Sequence, residues 1–220
     1  MDPTLPVNDG LVNVLNLAAI FVAAVSGASA GIKKNADAFG ICVLAFATAC
    51  SGGIARDVLI GDLPPDNIKS WLPLASSFVG GSLAFFFFPH LQWFLRHPVQ
   101  VSDAFGLGLF TALGVDKALA FGITPVWAIL MGVVTGVGGG VARDMLLART
   151  PTILLSEIYA TASLAGGAIM VLCNHFRLVD RNWAMLAGAT VCIVLRCLAI
   201  RYNWNIKLMA DSGRFKSRRQ

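Results

Sequence analysis

A six-residue pattern occurs twice in this chain. Gly52-Gly53-Ile54-Ala55-Arg56-Asp57 returns as Gly139-Gly140-Val141-Ala142-Arg143-Asp144, an offset of 87 residues. Without gaps, that offset also aligns Gly27 with Gly114, Leu59 with Leu146 and Pro64 with Pro151. Eight of the seventeen positions from Thr48 to Pro64 are identical to their counterparts. Each copy sets glycines and an Arg-Asp step inside a strongly apolar stretch. Charges are expensive in such surroundings, so a duplicated pair of them marks a site and limits the chain to folds built from two like halves.

The surroundings are those of a membrane. The chain is 56% hydrophobic and 13% charged, against about 25% charged for a soluble domain. It reads as an all-α integral membrane protein forming one domain, 1–220. Cys42, Cys50, Cys173, Cys192 and Cys197 lie in apolar segments without a CxxC pair, which indicates buried thiols and neither a disulfide framework nor a metal site. The net charge of +5 gathers at the C-terminus, where Arg201, Lys207, Arg214, Lys216, Arg218 and Arg219 face Asp211. That points to a cytoplasmic tail near anionic lipid and not to nucleic acid. Ala28-Ser29-Ala30 looks like a signal cleavage site, but Asp2 and Asp9 precede the apolar run with no basic residue. The run is therefore expected to remain as a first helix.

A spanning helix needs about 20 apolar residues. Seven segments meet this, at 11–32, 38–61, 70–94, 101–117, 123–147, 155–176 and 182–201. Breaks fall at Lys33-Lys34-Asn35, Asp62 to Asp66, Arg96-His97-Pro98, Asp116-Lys117, Arg149-Thr150-Pro151 and Arg177 to Arg181. With Arg56, Arg143 and Arg196 set aside as embedded, a cytoplasmic C-terminus places ten basic residues inside and four outside. The N-terminus is then outside. Because each repeat holds three spans, an odd number, the second inserts upside down relative to the first. The expected architecture is a 3+3 inverted-topology repeat (about 11–97 and 98–180), a seventh helix at 182–201 and a basic tail at 202–220.

The motif residues have distinct expected roles. Adjacent glycines, Gly52-Gly53 and Gly138-Gly139-Gly140, favour a helix break over a packing ridge, and freed carbonyls in a membrane require a polar cavity. Thr48, Ser51 and Thr135 would line it. Spaced glycines such as Gly132 and Gly136 favour close packing. Neighbouring helical residues point in different directions, so Arg56 is expected to reach Asp144, and Arg143 to reach Asp57, across the two-fold axis. The bland alternative is a buried ion-pair clamp without a transport role. Asp103 aligns with Asn16 at the repeat offset. Asp116 and Lys117 follow Asp103 by about 20 Å of helix rise, at a pore mouth or at the interface. Arg196 is expected to snorkel to the inner surface. Trp71, Trp93, Trp127, Trp183 and Trp204 suit interfacial belts, and Phe85 to Phe88 suit lipid or a neighbouring helix. His90, His97 and His175 have no HExxH spacing, and Gly136 to Val141 is only superficially a dinucleotide loop. Neither an enzyme nor a cofactor is expected.

The duplicated Gly-Gly-x-x-Arg-Asp, together with Asp103-Ala104-Phe105-Gly106-Leu107, Gly114 and Tyr159-Ala160-Thr161-Ala162, resembles the prokaryotic branch of the trimeric intracellular cation channel (TRIC) family. The likeness covers about residues 11–201. It implies a homotrimer in a prokaryotic inner membrane. Each protomer would hold a pore among the first, second, fourth and fifth spans, kinked at the glycines and passing K⁺ and Na⁺. Both repeats here carry Arg-Asp, unlike the animal relatives, so their reticulum role does not transfer. Bacterial relatives have also been classed as glycine transporters. The channel reading therefore stands beside a transporter reading, in which half-helix dipoles hold a substrate carboxylate.

Overall fold

The computed structural model describes residues 10–94, 98–155, 157–176 and 178–202. Nine helices are described: α1 (Gly10–Lys33), α2 (Ala38–Ile60), α3 (Asp66–Lys69), α4 (Leu72–Phe94), α5 (Pro98–Ala120), α6 (Pro125–Leu146), α7 (Thr152–Leu155), α8 (Glu157–His175) and α9 (Arg181–Tyr202). Six of them, α1, α2, α5, α6, α8 and α9, are long and apolar enough to cross a membrane. Within α4 the comparable apolar stretch, Leu72–Phe88, is shorter.

Local chemistry sets the boundaries. Asp37 caps α2 by accepting from the Gly40 amide at 2.7 Å, and Gly61 ends that helix at φ 79°, a conformation a side chain disfavours. Pro98 and Pro125 open α5 and α6, where the missing amide hydrogen is no loss. Asp116-Lys117 lies near the end of α5, as expected. The helix continues to Ala120 because both charges find partners, and the turn at Gly122 (φ 75°) follows it.

The helices pack as two groups of three. In one, α1, α2 and α4 touch one another; in the other, α5, α6 and α8 do. The groups join where α1 packs on α5 and α2 on α6, and α9 covers α5 and α8. The four inner helices α1, α2, α6 and α5 form a closed ring in that order. These helices bury many small residues, including Ala19, Ala23, Ala24, Ala28, Ala112 and Ala128. Lipid supplies no hydrophobic drive between helices, so close van der Waals contact has to hold them.

The outer faces are apolar and exposed. Phe85, Phe86 and Phe87 point outward while Phe88 is buried. Trp71, Trp127 and Trp183 are exposed near helix ends, as an interfacial belt requires. Trp93, Trp204, Arg96, His97, Arg177 and the tail beyond Tyr202 lie outside the residues whose side chains are described. Cys50 and Cys192 are buried, whereas Cys42, Cys173 and Cys197 are only partly so; all five thiols are free.

Candidate functional site

The ring closes at the crossing of α2 and α6. Gly52 lies so close to α6 that an added Cβ would collide with the Thr135 carbonyl, and Gly139 stands in the same relation to the Thr48 carbonyl. The two contacts are related by the repeat. A Cβ on Gly138 would come within 2.7 Å of Gly52 Cα. The flanking contacts repeat the pattern. A Cβ on Gly27 would be 2.5 Å from Thr48 Oγ1, and one on Gly114 would be 2.5 Å from Thr135 Oγ1.

This corrects two expectations. Both α2 and α6 are α-helical throughout, glycines included. Gly52, Gly138 and Gly139 serve backbone-to-backbone approach and not interruption, while Gly53 and Gly140 make room for the Asn67 and Tyr159 side chains; van der Waals contact is gained without freeing any carbonyl. Thr48 and Thr135 are buried and donate to their own helices, at Leu44 O and Met131 O (both 2.6 Å), in the i−4 pattern of buried threonines. Of the expected lining hydroxyls, Ser51 reaches across, donating to Gly138 O at 3.3 Å.

At the C-terminal end of α2, Asp57 is fully buried at the centre of a charge cluster. Arg56 Nε donates to Asp57 Oδ1 at 2.8 Å, Lys117 Nζ to the same oxygen at 2.8 Å, and the Asp66 amide to Oδ2 at 2.9 Å. The Pro64-Pro65 turn brings α3 back so that its first amide reaches this carboxylate. Carboxylate oxygens of Asp57, Asp62 and Asp66 lie within 4.8 Å of one another, a spacing suited to a cation. The Lys117 ammonium sits in this nest, 2.6 Å from Asp62 and bonded to Asp66. Lys69 bonds Asp62 (2.9 Å) and Asp66 (2.8 Å) from the outside. Partial burial opposes ionisation of Asp62 and Asp66, but hydrogen bonds from Lys117 and Lys69 outweigh it and hold both carboxyls below the usual carboxylate range. Hydrogen bonds to Asp66 and Asp62 raise Lys69 in return.

The end of α6 carries the counterpart. Arg143, 2% exposed, donates from Nε to Asp144 Oδ1 (3.0 Å) and from Nη1 to Asp103 Oδ1 (2.6 Å) and Ser26 Oγ (2.7 Å). Asp144 also accepts from Arg149 Nε and Nη2 (3.0 and 2.7 Å), and from the amide and hydroxyl of Thr152 at the start of α7 (2.9 and 2.8 Å). In both repeats, then, the aspartate ties the end of a long helix to the start of a short one. Arg196 packs over the Tyr159 ring at 4.8 Å and donates to Ile158 O at 3.1 Å. It is 4% exposed, so it turns inward to an aromatic face instead of snorkelling.

Each cluster faces a cavity. One of about 500 Å³ is lined by Asn13, Asn16, Arg56, Asp62, Asp116 and Lys117 among others. The second, about 310 Å³, is lined by Lys33, Lys34, Asp103, Arg143, Arg149 and Arg196 among others. They open at opposite ends of α1, because Asn13 and Asn16 belong to its start and Lys33 to its end. The glycine crossing lies between them.

The family model described as "Glycine transporter" matches residues 13–89 and 100–175. A trimeric intracellular cation channel orthologue from Rhodobacter sphaeroides superposes with a TM-score of 0.83 at 31% identity, covering 89% of this chain and 100% of the other. A prokaryotic TRIC channel solved in 0.5 M KCl gives 0.82 at 33% identity, with 90% and 99% covered. The chain belongs to the prokaryotic TRIC family. Among curated relatives, the UPF0126 inner membrane protein YadS of Escherichia coli (strain K12) is 35% identical over 90% of this chain and 95% of its own length. A UPF0126 membrane protein of Deinococcus radiodurans is 35% identical over 85% and 86%.

Within this TRIC protein the two Arg-Asp steps stay apart. The reciprocal pairs Arg56–Asp144 and Arg143–Asp57 do not form, because the motifs end at opposite cavities. Each arginine instead bends back from the last turns of its helix onto the next residue. Asp103 joins Arg143 at one cavity, while Asp116 and Lys117 line the other. Sequence reasoning missed Ser26, Asp62, Asp66, Thr152, Tyr159 and the Arg181–Asp116 fork (2.7 Å for each of two bonds). The repeat offset does place Asp62 opposite Arg149, a signal that both positions belong to the clusters.

Proposed function

We propose that this protein is a channel for monovalent cations, K⁺ and Na⁺. A pore runs inside the α1–α2–α6–α5 ring of each protomer of a homotrimer. The supporting observation is the pair of polar cavities at opposite ends of α1, with the α2–α6 glycine contact between them. Seven spans, counting α4, form inverted repeats at about 11–97 and 98–180 plus a final helix and tail, with the N-terminus outside and the C-terminus in the cytoplasm. Opening requires α2 and α6 to separate at Gly52 and Gly139 while Arg56, Lys117 and Arg143 exchange partners. A paired guanidinium keeps the path near neutral, whereas an unpaired one repels cations. Thr48, Ser51 and Thr135 then become the hydroxyls nearest the opened path, and Asp103, Asp116 and Lys117 stand at its mouths. No resident cofactor or metal takes part, only transient K⁺ and Na⁺, with membrane lipid as the surrounding partner.

The family description favours a second reading, transport of glycine or a similar solute. Arg143 and Arg149 at the 310 Å³ cavity are suited to a carboxylate. Purified protein in planar bilayers separates the two. Unitary steps in KCl support the channel. Saturable glycine uptake into proteoliposomes without unitary steps overturns it in favour of the transporter.

A further inference from the structure

The two cavities are alike in fold and unlike in charge. Among the described residues lining or directly bonded into the α2-end cavity, Arg56, Lys69, Lys117 and Arg181 balance Asp57, Asp62, Asp66 and Asp116. Among the described residues at the α6-end cavity, Lys33, Lys34, Arg143, Arg149 and Arg196 face Asp103 and Asp144. Counted over these residues, one mouth is neutral and the other carries three net positive charges. The repeat offset explains the difference, since acidic Asp62 aligns with basic Arg149 and the nest-filling Lys117 with Ala30. Lys33, Lys34 and Arg149 are exposed at that mouth, so their field meets entering ions directly.

A charged mouth with low-dielectric walls focuses its field and changes the local concentration of permeant ions. Cations entering at the basic mouth are depleted there, whereas those entering at the balanced mouth are not. We infer that the open pore rectifies, passing cations more readily from the Asp62–Lys117 mouth toward the Lys33–Arg149 mouth than in reverse. This rests on the channel reading and assigns that pore a direction. It is an electrostatic property of the permeation path, distinct from any voltage dependence of opening. Salt must therefore erase it, since the screening length falls from about 10 Å at 0.1 M to about 3 Å at 1 M.

The test is the size of unitary currents at equal positive and negative voltages in symmetric KCl. The expected result is a ratio of about twofold or more at 0.1 M, approaching one at 1 M as the mouth's field is screened. Lys34→Cys supplies the orientation. A negatively charged, membrane-impermeant methanethiosulfonate should lower the ratio only from the chamber where cation entry is the slower, with unmodified protein as the control for native thiols. Equal currents in both directions at 0.1 M, a ratio unchanged at 1 M, or modification effective only from the opposite chamber would each overturn the inference. Protein giving no unitary current overturns the channel reading as well.

Discussion

Arg143 on α6 and Asp103 on α5 meet at 2.6 Å, and each is more than nine-tenths buried. Asp144 and Ser26 complete the guanidinium's shell. Removing one partner of a buried pair leaves an uncompensated charge, at about 3–5 kcal/mol. Arg143→Met takes the cation from Asp103, while Asp144 keeps Arg149 and Thr152, so it should lower stability by that order. Asp103→Asn leaves Arg143 its other partners and should cost less. Thermal unfolding in detergent gives the ranking, and an equal or smaller loss for Arg143→Met would contradict it.

Gly52→Ala and Gly139→Ala each push a methyl group into a carbonyl of the opposite helix. Overpacking of this kind costs about 1–3 kcal/mol. Both variants should lower the melting temperature and increase passive K⁺ leak from proteoliposomes, because the crossing is forced apart. Gly10→Ala, which meets nothing within 4 Å, is the matched control. A leak no greater than the control's would show that the crossing is not the closure.

Lys117 pairs with three carboxylates at once. Lys117→Met should destabilise the fold by several kcal/mol, about the 3–5 kcal/mol of a broken buried pair. Adding Asp66→Asn should restore part of the loss by relieving repulsion among Asp57, Asp62 and Asp66. A double-mutant cycle on thermal stability measures this coupling; strictly additive effects would place Lys117 outside the cluster.

The loop cluster also dictates a pH response. Asp62 and Asp66 titrate below their ordinary 3.8 in the folded protein. Their contribution is therefore present above about pH 4 and lost as pH falls through the lowered folded values. Lys69 is raised above its ordinary 10.5, so its contribution is complete below that value and lost as pH rises through the higher folded one. Melting temperatures between pH 3 and 8 should fall at the acid end, and Asp62→Asn with Asp66→Asn should flatten that fall. An unchanged acid limb in the double variant would assign the response to other carboxylates.

Sequence by itself determined the membrane class, most of the long helices and the internal repeat, because hydropathy and an ungapped repeat are properties of the chain alone. It also singled out Gly52, Gly139, Arg56 and Arg143, since glycines and charges in apolar helices are conspicuous wherever they fold. Only the tertiary structure decided what those residues touch. Helical periodicity says which residues share a face but not which neighbour that face meets. The glycines could thus read as breaks until α2 and α6 were seen to cross upon them. The arginines' partners likewise depend on where loops return: the Pro64-Pro65 turn carries Asp66 back to Asp57, and α7 brings Thr152 to Asp144. Lys117 fills a nest of three carboxylates for the same reason, as contacts 51 and 60 residues apart leave no local trace in the chain.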